Sequence, residues 1–275
     1  MAGQPVVPPG FEPGYRVELL YGKAPSLDPG AIQKALATSL PESEVKELKP
    51  GHLSVVHKGH IVKFADGEGK PMTAVLTAEN RPVSQEEFRE ALEQTWSWPR
   101  EDARARIGRS RFRVLVMDLL SLGQPYQTRL RLVYEVIRAV ARTTQPEVAY
   151  WHPAGWMVAP EKLTDDPLDA ALNVRLFRVD NRPGEIVMDT LGLAALGVPD
   201  VQCHFKGLEE GRVAGFLRGV GAYVFENGDV IEDGHTVPGP QPNEKWACRH
   251  EMALVAPARV VIDIDPGPPH STRSG

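Results

Sequence analysis

Residues 189–205, DTLGLAALGVPDVQCHF, constrain the fold of this chain more than any other stretch. The run is densely apolar, carries Gly192 and Gly197 as turn points, and holds the adjacent pair Cys203 and His204. Its first residues read as strand, residues 192–199 as a turn or short helix, and residues 200–205 as strand again. Residues 209–226 follow as a helix, with Val213, Phe216, Leu217, Val220 and Val224 on one face and Asn227-Gly228 as the stop. A strand–turn–strand–helix unit buries its apolar stripe only against a sheet, which sets the α+β class.

The same alternation runs along the rest of the chain. Residues 15–21 read as a strand, and Asp28-Pro29 open a helix whose Ile32, Ala35, Leu36 and Leu40 share a face. Strands are expected at 52–57, 61–64 and 72–77. Ser84 and Glu87 form a capping box before a helix with Phe88, Ala91, Leu92, Thr95 and Trp96 on one side. Residues 111–120 (RFRVLVMDLL) read as strand, 127–142 as helix, and 147–156 and 172–179 as strands, with two late strands near 246–252 and 259–264. The expected architecture is α+β: two similar β-α-β-β-β-α halves, mostly antiparallel sheets with helices packed on one face. Residues 1–14 read as a flexible Pro/Gly-rich arm, 15–98 as the first half and 99–110 as a charged connector. Residues 111–265 form the second half and 266–275 a disordered tail. The matching element order suggests duplication, which requires the same strand order in both halves.

A chain of 275 residues buries roughly three quarters of its unfolded surface and needs no staples. Two cysteines make no disulfide framework, and no cationic region followed by an apolar core, nor any run of 18 apolar residues, is present. The net charge of −5 comes without a basic stripe, so no nucleic-acid partner is expected. The expectation is a cytoplasmic protein with no membrane partner and no cofactor.

Four groups of residues carry candidate chemistry. Cys203, His204, Cys248 and His250 offer soft ligands for a tetrahedral zinc. Against that, no C-x-x-C spacing occurs, and adjacent strand residues point to opposite faces. Asp229, Glu232, Asp233 and His235, in DVIEDGHT, suit cation binding or acid–base work, or simply a solvated turn. His52, His57 and His60 cluster in a strand pair, where half-exposed histidines are the commoner case. Trp98, Trp151, His152 and Trp156 border loops and are interface candidates, although most tryptophans are core. Asp189 reads as a catalytic acid or, by preference, a turn cap, and the helical Gly215, Gly219 and Gly221 read as close-packing positions. No G-x-S-x-G, Walker loop or H-E-x-x-H occurs.

The ordered segments YGKAPSLDPGAIQKAL, EVAYWHPAGWMVAPEKL, LNVRLFRVD, DTLGLAALGVPDVQCHF, GAYVFENGDVIEDGHTV and KWACRHEMALVAPARVVIDIDP make residues 15–265 resemble the bacterial family known as domain of unknown function 4261. The resemblance implies a sheet-rich α+β protein of the bacterial cytoplasm and brings no activity, cofactor or catalytic residue. It is compatible with an accessory or immunity role beside secreted toxins. The functional expectation is a non-enzymatic module that binds another protein through its aromatic loops. The alternative is a metal-dependent hydrolase, or another enzyme, using the 229–235 loop or the Cys/His set.

Overall fold

The computed structural model describes residues 11, 14–64, 67–96, 98–241 and 243–272. The described residues divide into two compact units, one of residues 14–170 and one of Phe11 with residues 171–272. The arm expected at residues 1–14 falls almost wholly outside the described residues.

The first unit runs β1 (Arg16–Tyr21), α1 (Pro29–Leu36), β2 (Ser43–Lys49), β3 (His52–Lys63), β4 (Gly69–Glu79), α2 (Arg89–Glu93), α3 (Arg100–Arg109), β5 (Phe112–Leu119), α4 (Tyr126–Thr144), β6 (Val148–Trp151) and β7 (Trp156–Val158). The strands form one sheet in the order β2-β3-β4-β5-β1-β6-β7, antiparallel throughout. Asp28 caps α1 as its sequence predicts, accepting the Gly30 and Ala31 amides. The sheet face carrying Val17, Leu19 and Trp151 lies under α4, where Tyr134 meets Trp151 at 5.9 Å between ring centroids. The opposite face offers Leu20, Val148 and Met157 to Phe88, Leu92, Trp98, Ala103 and Ile107 of the α2–α3 segment. Helices therefore cover both faces here, where one was expected.

A short helix, α5 (Leu168–Ala171), leads into the second unit: β8 (Asn173–Arg178), β9 (Glu185–Leu191), β10 (Asp200–Lys206), α6 (Glu210–Asn227), β11 (Thr236–Pro238), β12 (Lys245–Met252) and β13 (Val260–Asp265). Its sheet is ordered β11-β12-β13-β10-β9-β8, antiparallel except for the parallel pair β10–β13. Glu209 caps α6, and Val213, Leu217 and Val224 turn toward the strands. At Gly221 an added Cβ would stand 3.0 Å from Leu172 and 3.4 Å from Thr190, so close packing explains this glycine. Gly215 and Gly219 face open space, and packing does not require them.

The α+β class and the two sheets agree with the sequence; several boundaries do not. Residues 99–110 are not a connector. Arg100–Arg109 is helical, with Ala103 and Ile107 buried four residues apart, Glu101 and Asp102 in its first turn and Arg106 and Arg109 in its last. The stretch expected to open the second half, β5, lies inside the first sheet between β4 and β1, which moves the boundary to residue 170. The two sheets differ in strand order, which removes the duplication. The tail is ordered through residue 272: Ser271 bridges Phe205, the Lys206 amide donates to the His270 carbonyl, and the Thr272 hydroxyl donates to the His204 carbonyl.

Candidate functional site

The zinc set does not assemble. Cys248 pairs with Ile264 of β13, while Gln202 of β10 pairs with Asp263, so Ile264 stands between the two cysteines. Two strand spacings separate them by about 10 Å. Both thiols are buried, and burial pushes that of Cys248 up to about 11. His204 lies on the other face with Nε2 3.1 Å from Glu185 Oε2. Among the described residues, no three His, Cys, Asp or Glu side chains gather to hold a metal.

The acidic loop instead meets His250. Its Nδ1 lies 2.8 Å from Asp233 Oδ1 and its Nε2 3.0 Å from Asp229 Oδ1. The His250 amide also donates to Asp233 at 2.7 Å. Partial burial disfavours the imidazolium, but the two carboxylates outweigh it and raise the His250 pKa. Both ring nitrogens are engaged on opposite sides, so the cluster ties the loop to β12 and leaves no nitrogen for a cation. His235 accepts from the Glu232 amide at 3.2 Å, and its Nε2 lies 3.6 Å from the Glu232 carboxylate.

Asp189 is no turn cap; it is the hub of a buried ion network. Arg175 grips it through Nε and Nη2 at 2.9 and 2.5 Å, and Arg259 Nη2 adds a third contact at 2.5 Å. Arg259 Nε also reaches Asp200 at 3.0 Å, and Asp200 accepts from Thr190 and from the Leu193 and Ala194 amides. These groups are internally satisfied and buried, which makes them architecture.

In the first unit Glu18 is buried in the middle of the sheet. Arg113 and Arg16 each donate to it at 2.7 Å, and His152 Nε2 lies 3.1 Å away. Burial alone would raise its pKa; the hydrogen bonds from His152 and Arg16 and the charges of His152 and Arg113 bring it down to about 2. Arg113 also holds Glu87 with two contacts of 2.9 Å. Sequence reasoning passed over Glu18 and Asp118, whose signal was a carboxylate inside an otherwise apolar strand.

Of the strand histidines, His57 alone is deeply buried, with Nδ1 2.7 Å from Ser43 Oγ and no partner at Nε2 among the described residues. Burial, aided by the nearby charges of His60 and Arg131, lowers its pKa from 6.5 to about 4. A folded pKa below the unfolded one means stability is complete above pH 6.5 and lost as the pH falls toward 4. The loss at pH 4.5 amounts to about 2–3 kcal/mol. Urea titrations of His57→Gln and the parent at pH 7.5 and 4.5 should therefore show a smaller acid loss in the variant. Equal losses would refute the assignment.

The aromatic loop residues are not at the surface. Trp98, Trp151 and Trp156 are buried, Trp151 donating Nε1–H to Tyr15 Oη at 2.8 Å and Trp156 to the Ala170 carbonyl. His152 is partly exposed but engaged by Glu18. Exposed apolar bulk lies elsewhere in the first unit. Where β3 and β5 end, Phe64 (38% exposed), Leu119 (39%) and Leu120 (42%) border a groove of about 470 Å³ lined also by Val62, Met117 and Leu122. Its sequence signal was Leu120 and Leu122, apolar residues that continue past the end of the strand.

Neither the curated proteins nor the solved structures returned a match. The match to a family model is narrower than the resemblance of residues 15–265. Residues 189–265, from the hub aspartate of the buried network to the end of β13, match the model of the family described as Domain of unknown function (DUF4261).

Proposed function

We propose that this chain is a non-enzymatic protein-binding module whose partner docks on the first unit. One observation carries the reading: three large apolar side chains, Phe64, Leu119 and Leu120, stay exposed together around a concave apolar surface. Soluble proteins seldom leave such a patch without a use. The ionisable clusters point the same way, because their charges are consumed internally. Glu18 and Asp189 each bind at least two cationic side chains, and His250 spends both nitrogens on carboxylates. An enzyme built on the 229–235 loop or the Cys/His set would need those groups to converge on a reactant. An accessory or immunity-type role, with a toxin or secretion component as partner, fits this reading.

The test is site-specific photocrosslinking in cells that naturally carry the chain. A photoreactive residue at Leu119 is expected to give a discrete protein adduct, and one at Tyr223 of the second unit none. Absence of an adduct at Leu119, or equal adducts at both positions, would sink the proposal.

A further inference from the structure

We propose that Asp229, His250 and Asp233 form a proton-operated latch, which holds residues 229–233 on β12 while the imidazole is charged and releases them when it is neutral. The latch belongs to the second unit and does not depend on the groove.

The geometry sets the protonation requirement. Asp229 and Asp233 approach different ring nitrogens, at 3.0 and 2.8 Å, and an ionised carboxylate can only accept. Both contacts are hydrogen bonds only when both nitrogens carry a proton, which is the imidazolium. A neutral ring keeps one N–H and turns its other lone pair toward a carboxylate. Partial burial works against the imidazolium, but the two carboxylates outweigh it and raise the His250 pKa. The His250 amide and ring in turn hold the Asp233 carboxyl below its ordinary value.

Other charges do not disturb this balance. On β12, Arg249 and Glu251 flank His250 on the opposite strand face and pair with each other at 2.6 Å. Across on β13 stands the apolar Ile262, with Asp263 opposite Arg249. In the loop, His235 lies 3.6 Å from Glu232, and Glu226 is the nearest charge of α6 along the chain.

The segment is bounded by two hinges. Gly228 and Gly234 sit at φ 80° and 85°, and an added Cβ at Gly234 would meet nothing. Beyond Gly234 the chain is pinned: the Gly234 amide donates to the Cys248 carbonyl at 2.9 Å, and the Cys248 amide to the His235 carbonyl at 2.8 Å. Release between the hinges uncovers Ile231, now buried, beside the exposed Val230. A folded pKa above the unfolded one means that the latch is complete below pH 6.5 and lost as the pH rises through the folded value.

The experiment is amide hydrogen exchange of the full chain followed by NMR, read as protection factors at pH 6.0 and 9.0. The His250 amide, which donates to Asp233 at 2.7 Å, should lose about two- to tenfold protection at the higher pH. The amides of β9 should not change. Asp229→Asn should abolish the difference, since its side-chain amide accepts from the imidazolium at low pH and donates to the neutral Nε2 at high pH. The same variant should lower the His250 pKa read from the ring resonances. Equal protection of the parent at both pH values, an Asp229→Asn variant that keeps the parent's response, or an unchanged His250 pKa in that variant would overturn the latch.

Discussion

Arg259→Leu is expected to destabilise the second unit by about 3–5 kcal/mol, the cost of leaving buried charge uncompensated. Its guanidinium is fully buried between Asp189 and Asp200, and it also donates to the Thr190 and Pro257 carbonyls. Burial already raises the Asp200 pKa, with Arg259 opposing the rise. Without the cation, Asp200 is driven further toward its protonated form. A folded pKa above the unfolded one penalises the fold at higher pH and relieves it as the pH falls. Denaturant unfolding should therefore show a larger deficit for Arg259→Leu at pH 7 than at pH 5. Adding Asp200→Asn should recover part of the loss, because the carboxylate left without its cation is then gone, whereas Asp189 keeps Arg175. A deficit below about 1 kcal/mol at pH 7 would mean that the network contributes no more than exposed ion pairs do.

Trp151→Ala should cost about 3–5 kcal/mol, as expected for emptying a large aromatic site in a core. The indole is completely buried, packs on Tyr134, and donates to Tyr15. Its removal deletes the lattice that joins β6, α4 and the start of β1, and leaves the Tyr15 hydroxyl without that donor. Thermal melting and near-ultraviolet circular dichroism should both report the loss. An unchanged melt with impaired partner capture would reinstate Trp151 as the interface anchor that its loop position suggested. Trp151→Phe should fall in between, keeping much of the ring packing while losing the hydrogen bond.

The contrast between Trp151 and Leu120 shows where sequence patterns reach their limit. Both border a loop. Trp151 is drawn inward because β6 pairs with the central strand β1, which places residue 151 opposite Val17 and under α4. Leu120 follows a strand whose last buried residue is Asp118, and the backbone there turns left-handed, which points it outward. Neither outcome is written in the local periodicity. His250 is similar: its spacing from Cys248 suggested a ligand pair, whereas the β12–β13 register and the 229–233 loop delivered two carboxylates to it.

Local chemistry was enough for the Asp28 start of α1, the strand–turn–strand–helix order of residues 189–226 and the α+β class, whereas the Ser84/Glu87 box caps neither the 3-10 turn Glu86–Phe88 nor α2. Asp28 and the α6 stripe act through neighbours three or four residues away, and such contacts are encoded in short-range spacing. The unit boundary, the helical nature of residues 100–109, the different strand orders and the placing of every candidate site were decided by tertiary structure. Strand pairing joins residues about a hundred positions apart, as when Leu20 meets Arg113, and a period-two pattern names the buried face but not the neighbour. The partners of Glu18 and Asp189 were invisible for the same reason: a buried carboxylate is stabilised by whichever cation the sheet order brings to it.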